Sequence, residues 1–449
     1  MKALRLFLFC FLAALLFPAL SHGADQVAAS CDSADVLTAI NATGGTGTVT
    51  IPAGDCIWTS AITFTGSNLY IKGAGVDNTI IRLQGSADGF NHSEISFAEY
   101  SDFTIDAAKA NRTGGTDLCT AIYLQDSANF RIHNVKITGY FHSMILMGKT
   151  VKGLIDNNYF SREDGGSSDY GISTRQENVL ASDRALGLYL DGEGPGCGTF
   201  EECNAVWDNL WWNNAARHGG NAAYYNWVPD ANEAVYIENN TIDWRGSIIM
   251  HNWSGIQGYV FRYNTVTNID GNNGGIKYGN KFFEIYRNSF TNIGATCCEA
   301  IYLRANGLYH NNEFHNYSFK GAIHKWEPGR QGYNYRSTTV TSMHDSHFWG
   351  NTCPECTNYP SEPDRAEQYG DSTDGIPSVE NVDFFFRAPQ PGDRLYPYTE
   401  YTCPHPGTGL SGSCSTTVVG VAGYNVAGGT PSQTPVLHGA TISPGVTLR

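Results

Sequence analysis

The chain has 449 residues, with 28 Lys and Arg against 43 Asp and Glu and a formal net charge of -15, which argues against nucleic acid as a partner. The same balance disfavours an anionic polymer unless a local basic strip or a bound cation compensates. Charged residues make up only 16% of the chain while Gly (50) and aromatics are abundant, a composition that suits a β-rich extracellular protein better than a helical one.

The N-terminus, MKALRLFLFCFLAALLFPALSHGADQ, sets Lys2 and Arg5 ahead of an apolar run ending near Leu20, with Ser21 and Gly23 at cleavage spacing. We read residues 1–23 as a signal peptide, because the apolar run is shorter than the ~20 residues a membrane-spanning helix needs. No later segment is apolar and long enough to span a bilayer. The mature chain is therefore expected to be secreted, extracellular or periplasmic, and a monomer is expected. Eleven of the twelve cysteines remain after cleavage, and in an oxidising compartment close pairs predict disulfides: Cys31 with Cys56, Cys197 with Cys203, and Cys403 with Cys414. Cys353 and Cys356 in CPEC suit a local disulfide better than half of a zinc site, since no second CxxC follows. The odd count leaves a thiol over, with Cys119, Cys297 and Cys298 as candidates.

Next, SADVLTAINATGG can form a short helix with Val36, Leu37 and Ile40 on one face, and TVTIPAG reads as a strand. Further on, the fragments VYIENNTIDW, VFRYNTVTN, FEIYRNSFTN and LYHNNEFHN align on Asn240, Asn264, Asn288 and Asn312, each 24 residues from the next. The alignment also brings together Ile242, Val266, Phe290 and Phe314, and a second asparagine column at Asn268, Asn292 and Asn316. An earlier copy, IDNNYF, carries Asn158 and Phe160 in the same relation. A fixed period of this size is the signature of a stacked repeat.

The apolar-x-apolar-x-x-Asn pattern also fits a leucine-rich repeat, but the second half of each unit decides. GGIKYG, EAIYLRANG and GAIHKW are short, alternating and glycine-flanked, where a leucine-rich repeat would place a helix or an irregular leucine-bearing return. The predicted fold is all-β: a right-handed parallel β-helix, a solenoid of about 24 residues per coil with an N-terminal capping helix. An asparagine at one corner of every coil can pass amide hydrogen bonds up and down the stack, which makes the recurrent asparagines scaffold. The chain resembles the pectin-lyase-like superfamily over roughly residues 31–352. The resemblance is carried by the capping helix, the Ile51–Gly54 turn and the GAG turn of Gly73–Gly75.

From Asn158 to Asn240 there are 82 residues, ten more than three repeats of 24, which predicts an insertion in an aromatic-rich region of about 161–234. It holds Trp207, Trp211, Trp212, Tyr224, Tyr225 and Trp227, with Arg217 and His218. Such rings either stack on sugar faces or pack the loop on the coil. The β-helix is expected over 24–352. Residues 353–449 lose the period and concentrate proline, which predicts an irregular C-terminal cap and tail.

Catalysis in such a coil must use outward positions. If Ile248 and Met250, Ile276 and Tyr278, and Ile301 and Leu303 point inward, alternation sends out one column of Ile249, Lys277, Tyr302 and His324. The adjacent column reads His251, Gly279, Arg304 and Trp326. This strip is cationic and aromatic on an acidic protein, and its plainer explanation is a solvated strand face. The chemical explanation is a polysaccharide lyase. Beta-elimination from a uronate polymer needs a base at the C5 proton, a cation for the neighbouring carboxylate and a proton donor for the leaving oxygen. NIDGNNGGIKYGNKFFEIYRNSF followed by IYLRANG is similar to the region of the alginate lyase and chondroitinase family where a lysine coil precedes an arginine coil. That resemblance implies Lys277 as base, Arg304 assisting the leaving group, and a calcium ion near Asn240, Asp270 and Asn272. Asn272 stands where an acid is usual in that family, and LRANG lacks the histidine that usually follows the arginine. Tyr302, His324 and His251 complete the catalytic candidates, and Trp326, Trp211, Trp212, Trp227, Arg217 and His218 the substrate-binding ones.

Two alternatives stay open. A polygalacturonase-like hydrolase would use Asn157, Glu163 with Asp164, His218 with Gly219, and Ile276 with Lys277. Paired carboxylates suit glycoside hydrolysis, but the spacing of these motifs fits poorly with the repeat. The other alternative is a non-catalytic cell-surface or glycan-binding β-helix protein.

Overall fold

The computed structural model describes residues 23, 25–108, 119–125, 129–139, 141, 143–148, 152–162, 170–175, 235–244, 248–252, 258–268, 276–277, 282–292, 301–303, 307–316, 323–326, 346–353, 367–369, 381, 384–393 and 395–398. Among them the protein is nearly all β, with one helix and two parallel sheets of nineteen and ten strands. The chain alternates between the sheets. Val235–Glu238 and Thr241–Trp244 lie in the larger sheet, Ile248–Asn252 in the smaller, and Gly258–Arg262 and Thr265–Asn268 in the larger again. Strands inside each sheet thus pair with one from an earlier and one from a later pass, an arrangement that needs crossovers and not hairpins.

Within the larger sheet the two strands of a pass meet at one corner. Register aligns His133, Asp156, Glu238, Arg262, Tyr286, His310 and Trp349 on successive strands. The next residue in each case, from Asn134 and Asn157 to Asn311 and Gly350, has φ between 51 and 65°. Asn and Gly enter this left-handed region at little cost, whereas Tyr263 and Arg287 enter it with their side chains in contact across neighbouring strands, Arg287 Nη1 donating to Tyr263 Oη at 2.8 Å.

The asparagine ladder follows immediately. Asn240 Oδ1 accepts from Asn158 N and Nδ2, each at 3.0 Å, and Asn264 Oδ1 accepts from Asn240 in the same way. Asn288 and Asn312 continue it, and Asn351 closes it by accepting from Asn312 N and Nδ2. Each Nδ2 also donates to a buried carbonyl, Ile155 for Asn240 and Ile237 for Asn264. All six side chains are buried, so the ladder supplies partners that water cannot. Beside it the apolar column Phe160, Ile242, Val266, Phe290 and Phe314 is buried in register, with the last two rings stacked 5.2 Å apart.

The helix Ser33–Ala42 lies against Gln26–Val27 and Thr46–Thr50 of the larger sheet and Ile62–Thr65 of the smaller, at the N-terminal end of both, burying Val36, Ala39 and Ile40, with Leu37 half-buried. Asp35 in its first turn favours the helix dipole, and Gly44 and Gly45 at positive φ end it. The Cys31–Cys56 disulfide ties its entry to the strand Gly54–Trp58, and Trp58 Nε1 donates to Cys31 O at 2.9 Å. A Cβ on Gly54 would stand 2.4 Å from Cys31 Sγ, which gives the glycine of the Ile51–Gly54 turn its reason. At the other turn, a Cβ on Gly73 would meet Asp102 O at 2.2 Å. Cys353 is also disulfide-bonded and Cys119 is a buried thiol, while the remaining cysteine pairs lie outside the described residues.

Two sequence expectations change. Asn158 and Asn240, 82 residues apart, are direct neighbours in the ladder, so their interval is one pass and not three. Against a 24-residue step, 82 - 24 leaves 58 additional residues, because spacing alone cannot distinguish whole repeats from inserted chain. Nor does pairing stop at residue 352. Glu367–Tyr369 joins the smaller sheet and Phe384–Phe385 the larger, after which Tyr398 returns to the larger sheet's outer side.

Candidate functional site

The smaller sheet stacks one continuous register column. Its apolar track runs Ile62, Phe90, Ile122, Ile145, Ile172, Met250, Ile276, Ile301 and Ile323; the first four are buried. One residue further along each strand the track reads Thr63, Asn91, Tyr123, Leu146, Ser173, His251, Lys277, Tyr302 and His324, and ends on Glu367. Thr63 is exposed and Asn91 and Tyr123 are half-buried, whereas Leu146 is buried.

Four of the sequence-selected residues therefore share one track. His251 pairs with Lys277, where the sequence alternation had set Ile249 beside Lys277 and His251 in the next column. The correction has a simple source. The alternation set Ile248 opposite Ile276, whereas the register sets Met250 there, and the unequal steps of 26 residues from His251 to Lys277, 25 from Lys277 to Tyr302 and 22 from Tyr302 to His324 offer no constant period to reveal it. Trp326 lies two residues beyond His324 and pairs with Tyr369. Arg304, Asp270, Asn272, Trp211, Trp212, Trp227, Arg217 and His218 lie outside the described residues, as do Glu163 and Asp164. Sequence reasoning missed Glu367, which lies in the segment assigned to the tail.

Asn240, expected near a calcium ion, is 1% exposed, and its amide is committed at both atoms within the ladder. It serves the corner and does not fit a cation ligand. Among the described residues no group of three or more His, Cys, Asp or Glu could hold a metal ion.

A second cluster of chemical groups lies on the outer side of the larger sheet. Arg262, 2% exposed, donates from Nε to Glu238 Oε2 and from Nη1 to Tyr286 Oη, both at 2.7 Å. Burial alone would lower the Arg262 pKa, but Glu238 and Tyr286 hold it above the ordinary arginine value. Burial likewise raises Tyr286. The Tyr398 hydroxyl donates to Glu284 Oε1 at 2.5 Å, and its oxygen then accepts from His310 Nε2 at 2.9 Å. His310 Nδ1 accepts from Asn311 Nδ2 at 3.0 Å, and the ring is stacked between Tyr286 at 4.8 Å and Trp349 at 4.2 Å. Burial, aided by the Arg287 charge, lowers the His310 pKa to about 3, which keeps the imidazole neutral. Nearer the N-terminus, Arg131 forms a two-bond pair with Asp156, and His133 Nε2 meets Glu99 Oε1 at 3.1 Å. These groups hold one another, as structural ion-pair networks do.

No family model and no curated protein matches the sequence. Among solved structures, the chain is similar to the A-module of the Azotobacter vinelandii mannuronan C-5 epimerase AlgE4, with TM-score 0.34, 13% identity, and coverage of 73% of this chain and 85% of that one. The AlgE6 A-module of the same organism gives TM-score 0.31 at 13% identity over 80% of this chain and 96% of that one. The catalytic domain of a GH87 alpha-1,3-glucanase gives 0.33 at 13% identity over 75% of this chain, which spans 56% of the glucanase chain. The likeness is distant at these scores, and no activity is carried over from it.

Proposed function

We propose that the chain is an exported, monomeric right-handed parallel β-helix of about 24 residues per coil that acts on polysaccharide, cleaving a uronate polymer by β-elimination. The observation that supports it is the track of His251, Lys277, Tyr302 and His324, in register on four adjacent strands of the smaller sheet. Adjacent strands stand ~4.8 Å apart, so the track spans the length of a few sugar rings. The right hand follows from the crossover rule.

In this proposal Lys277 takes the C5 proton, the electron pair forms the C4–C5 double bond, the C4–O bond breaks, and the departing oxygen receives a proton from Tyr302 or a histidine of the track. Arg304 neutralises charge next to Lys277 and lowers its pKa, which favours the neutral amine a base requires. Trp326 and the aromatic loop carrying Trp211, Trp212, Trp227, Arg217 and His218 bind sugar faces. A calcium ion, if used, is assigned to Asp270 and Asn272 without Asn240.

The test is incubation of the mature protein with alginate, pectate and glycosaminoglycans, with calcium and with a chelator. Release of products absorbing in the ultraviolet as unsaturated uronates, lost in Lys277→Ala and in Arg304→Ala, is the expected result. Reducing ends without that absorbance would replace the lyase with a hydrolase, and the Glu163 and Asp164 variants would then be tested. Absence of any product from every polymer would leave a glycan-binding coil.

A further inference from the structure

The track contains bases and proton donors but, among the described residues, only one carboxylic acid. Glu367 pairs with His324 in a register that holds over three consecutive positions, with Lys325 opposite Gln368 and Trp326 opposite Tyr369. Its strand lies within a built final pass. Ser346–Trp349 and Phe384–Phe385 pair in parallel in the larger sheet on either side of it in sequence, with Ser346 opposite Phe384 and His347 opposite Phe385. The chain beyond is fastened by the Arg387–Asp393 ion pair, by His347 Nδ1 to Arg387 O at 3.1 Å, and by Tyr398 on Glu284 and His310. A loose tail would not make these contacts.

We infer that Glu367 is a positioning residue of the proposed site, acting through His324 on the adjacent strand. Neighbouring positions of a parallel pair lie close enough for side-chain charges to interact, and a carboxylate beside an imidazole favours its protonated form. By register position, the residues nearest His324 are of both signs. Lys325 is next to it on its own strand and Lys277 lies two strands away, Tyr302 at the paired position of the preceding strand and Gln368 beside Glu367 carry no charge, and Glu367 is the one carboxylate at a position paired with it. A protonated His324 at neutral pH can give the proton that the leaving oxygen requires. The bland alternative is a charge that blocks pairing at the end of a sheet.

The rate readout rests on the lyase proposal, and a second readout does not. In Glu367→Gln the alkaline limb of the pH–rate profile should move towards acid by about one unit, with about tenfold less product at slightly alkaline pH. Glu367→Asp, which keeps the charge, should restore most of it, and the melting temperature should stay within a degree or two. An unchanged profile in Glu367→Gln overturns the inference. If the wild-type protein releases no unsaturated product, the lyase proposal has failed independently. Titration of the full chain by histidine NMR, with the His324 resonance assigned by its loss in His324→Gln, then decides. A fall of about one unit in the His324 pKa on Glu367→Gln supports the pairing, and an unmoved titration overturns it.

Discussion

The asparagine corner of the larger sheet and the His251–Glu367 track of the smaller sheet are built by the same parallel stacking, yet they use residues in opposite ways. At the corner one residue type recurs at Asn158, Asn240, Asn264, Asn288, Asn312 and Asn351, because every pass presents the same buried backbone donors and carbonyls. Along the track the residue changes at every strand, from Ser173 through His251, Lys277, Tyr302 and His324 to Glu367. Repetition marks a demand that the fold makes on each pass. Variation marks positions on which the fold makes no such demand, where chemistry can be placed.

The hardest challenge to that contrast is a third column, Asp156, Glu238, Arg262, Tyr286, His310 and Trp349, which varies as much as the track but is structural, because its polar members are buried and hold one another. Removing one partner should show it. Arg262→Ala leaves Glu238, 2% exposed, without its guanidinium, and should lose about 3–5 kcal/mol of unfolding free energy in urea. Replacing Glu238 and Arg262 together by Leu and Met should recover most of that loss. A single variant within about 1 kcal/mol of wild type would mean that variable columns cannot be sorted by burial and pairing.

The corner makes a slightly smaller claim. Asn264→Ala strips the acceptor from Asn240 N and Nδ2 and leaves the Ile237 carbonyl without its amide donor. At about 1–3 kcal/mol for each buried group left unmade, less what water entering the gap restores, about 3 kcal/mol should be lost. Asn264→Asp keeps the acceptor but buries a carboxyl whose second oxygen faces the Ile237 carbonyl and Asn288 Oδ1, and should lose at least as much as Asn264→Ala. Equal stability of all three proteins would remove the ladder from the account of the fold.

How much of this was legible beforehand follows from what each demand does to sequence. The corner asparagines and the Ile242–Phe314 column repeat at a constant step, so they could be read directly. The helix Ser33–Ala42 and the Cys31–Cys56 pair were equally visible, as a local apolar face and a short spacing. Asn351 was not, because 39 residues separate it from Asn312, and the long interval before Asn240 was misdivided for the same reason. The smaller sheet had no constant step at all. Its register could be drawn only from the stacked backbone, which is why His251 fell in the wrong column and Glu367 was assigned to the tail.

Acid should separate the regions by their buried histidines. His92 donates to Gly66 O, accepts from Tyr100 Oη and stacks on Phe64, and burial lowers its pKa to about 4, the Gly66 carbonyl opposing in part. His310 is held at about 3. In the unfolded chain both would titrate near 6.5, so as pH falls below that value the unfolded state binds protons that the folded state refuses. Stability is then complete above about pH 6.5 and declines towards pH 4, by about 2 kcal/mol per group at pH 4.5. Urea midpoints measured from pH 7 to pH 4.5 should fall accordingly, and His310→Gln should flatten part of the slope. A profile level across that window would show that these imidazoles are not buried neutral.

The smallest expected effect sharpens the comparison most, because it sets the two kinds of column side by side in one repeat. Lys277 and Asn288 lie eleven residues apart, one on the smaller sheet and one at the corner of the larger. Asn288 Oδ1 accepts from Asn264, its Nδ2 donates to the Phe261 carbonyl, and loss of the amide should cost about as much as at Asn264. The Lys277 position recurs in no other strand as lysine, and neighbouring passes fill it with His251 and Tyr302, so no shared backbone demand selects it. Lys277→Ala should therefore change the unfolding free energy by no more than about 0.5 kcal/mol, the range of a substitution away from buried partners. Its product formation should nevertheless vanish. Should Lys277→Ala unfold the protein as readily as Asn288→Ala, the lysine belongs to the scaffold, and loss of activity in that variant would say nothing about a base.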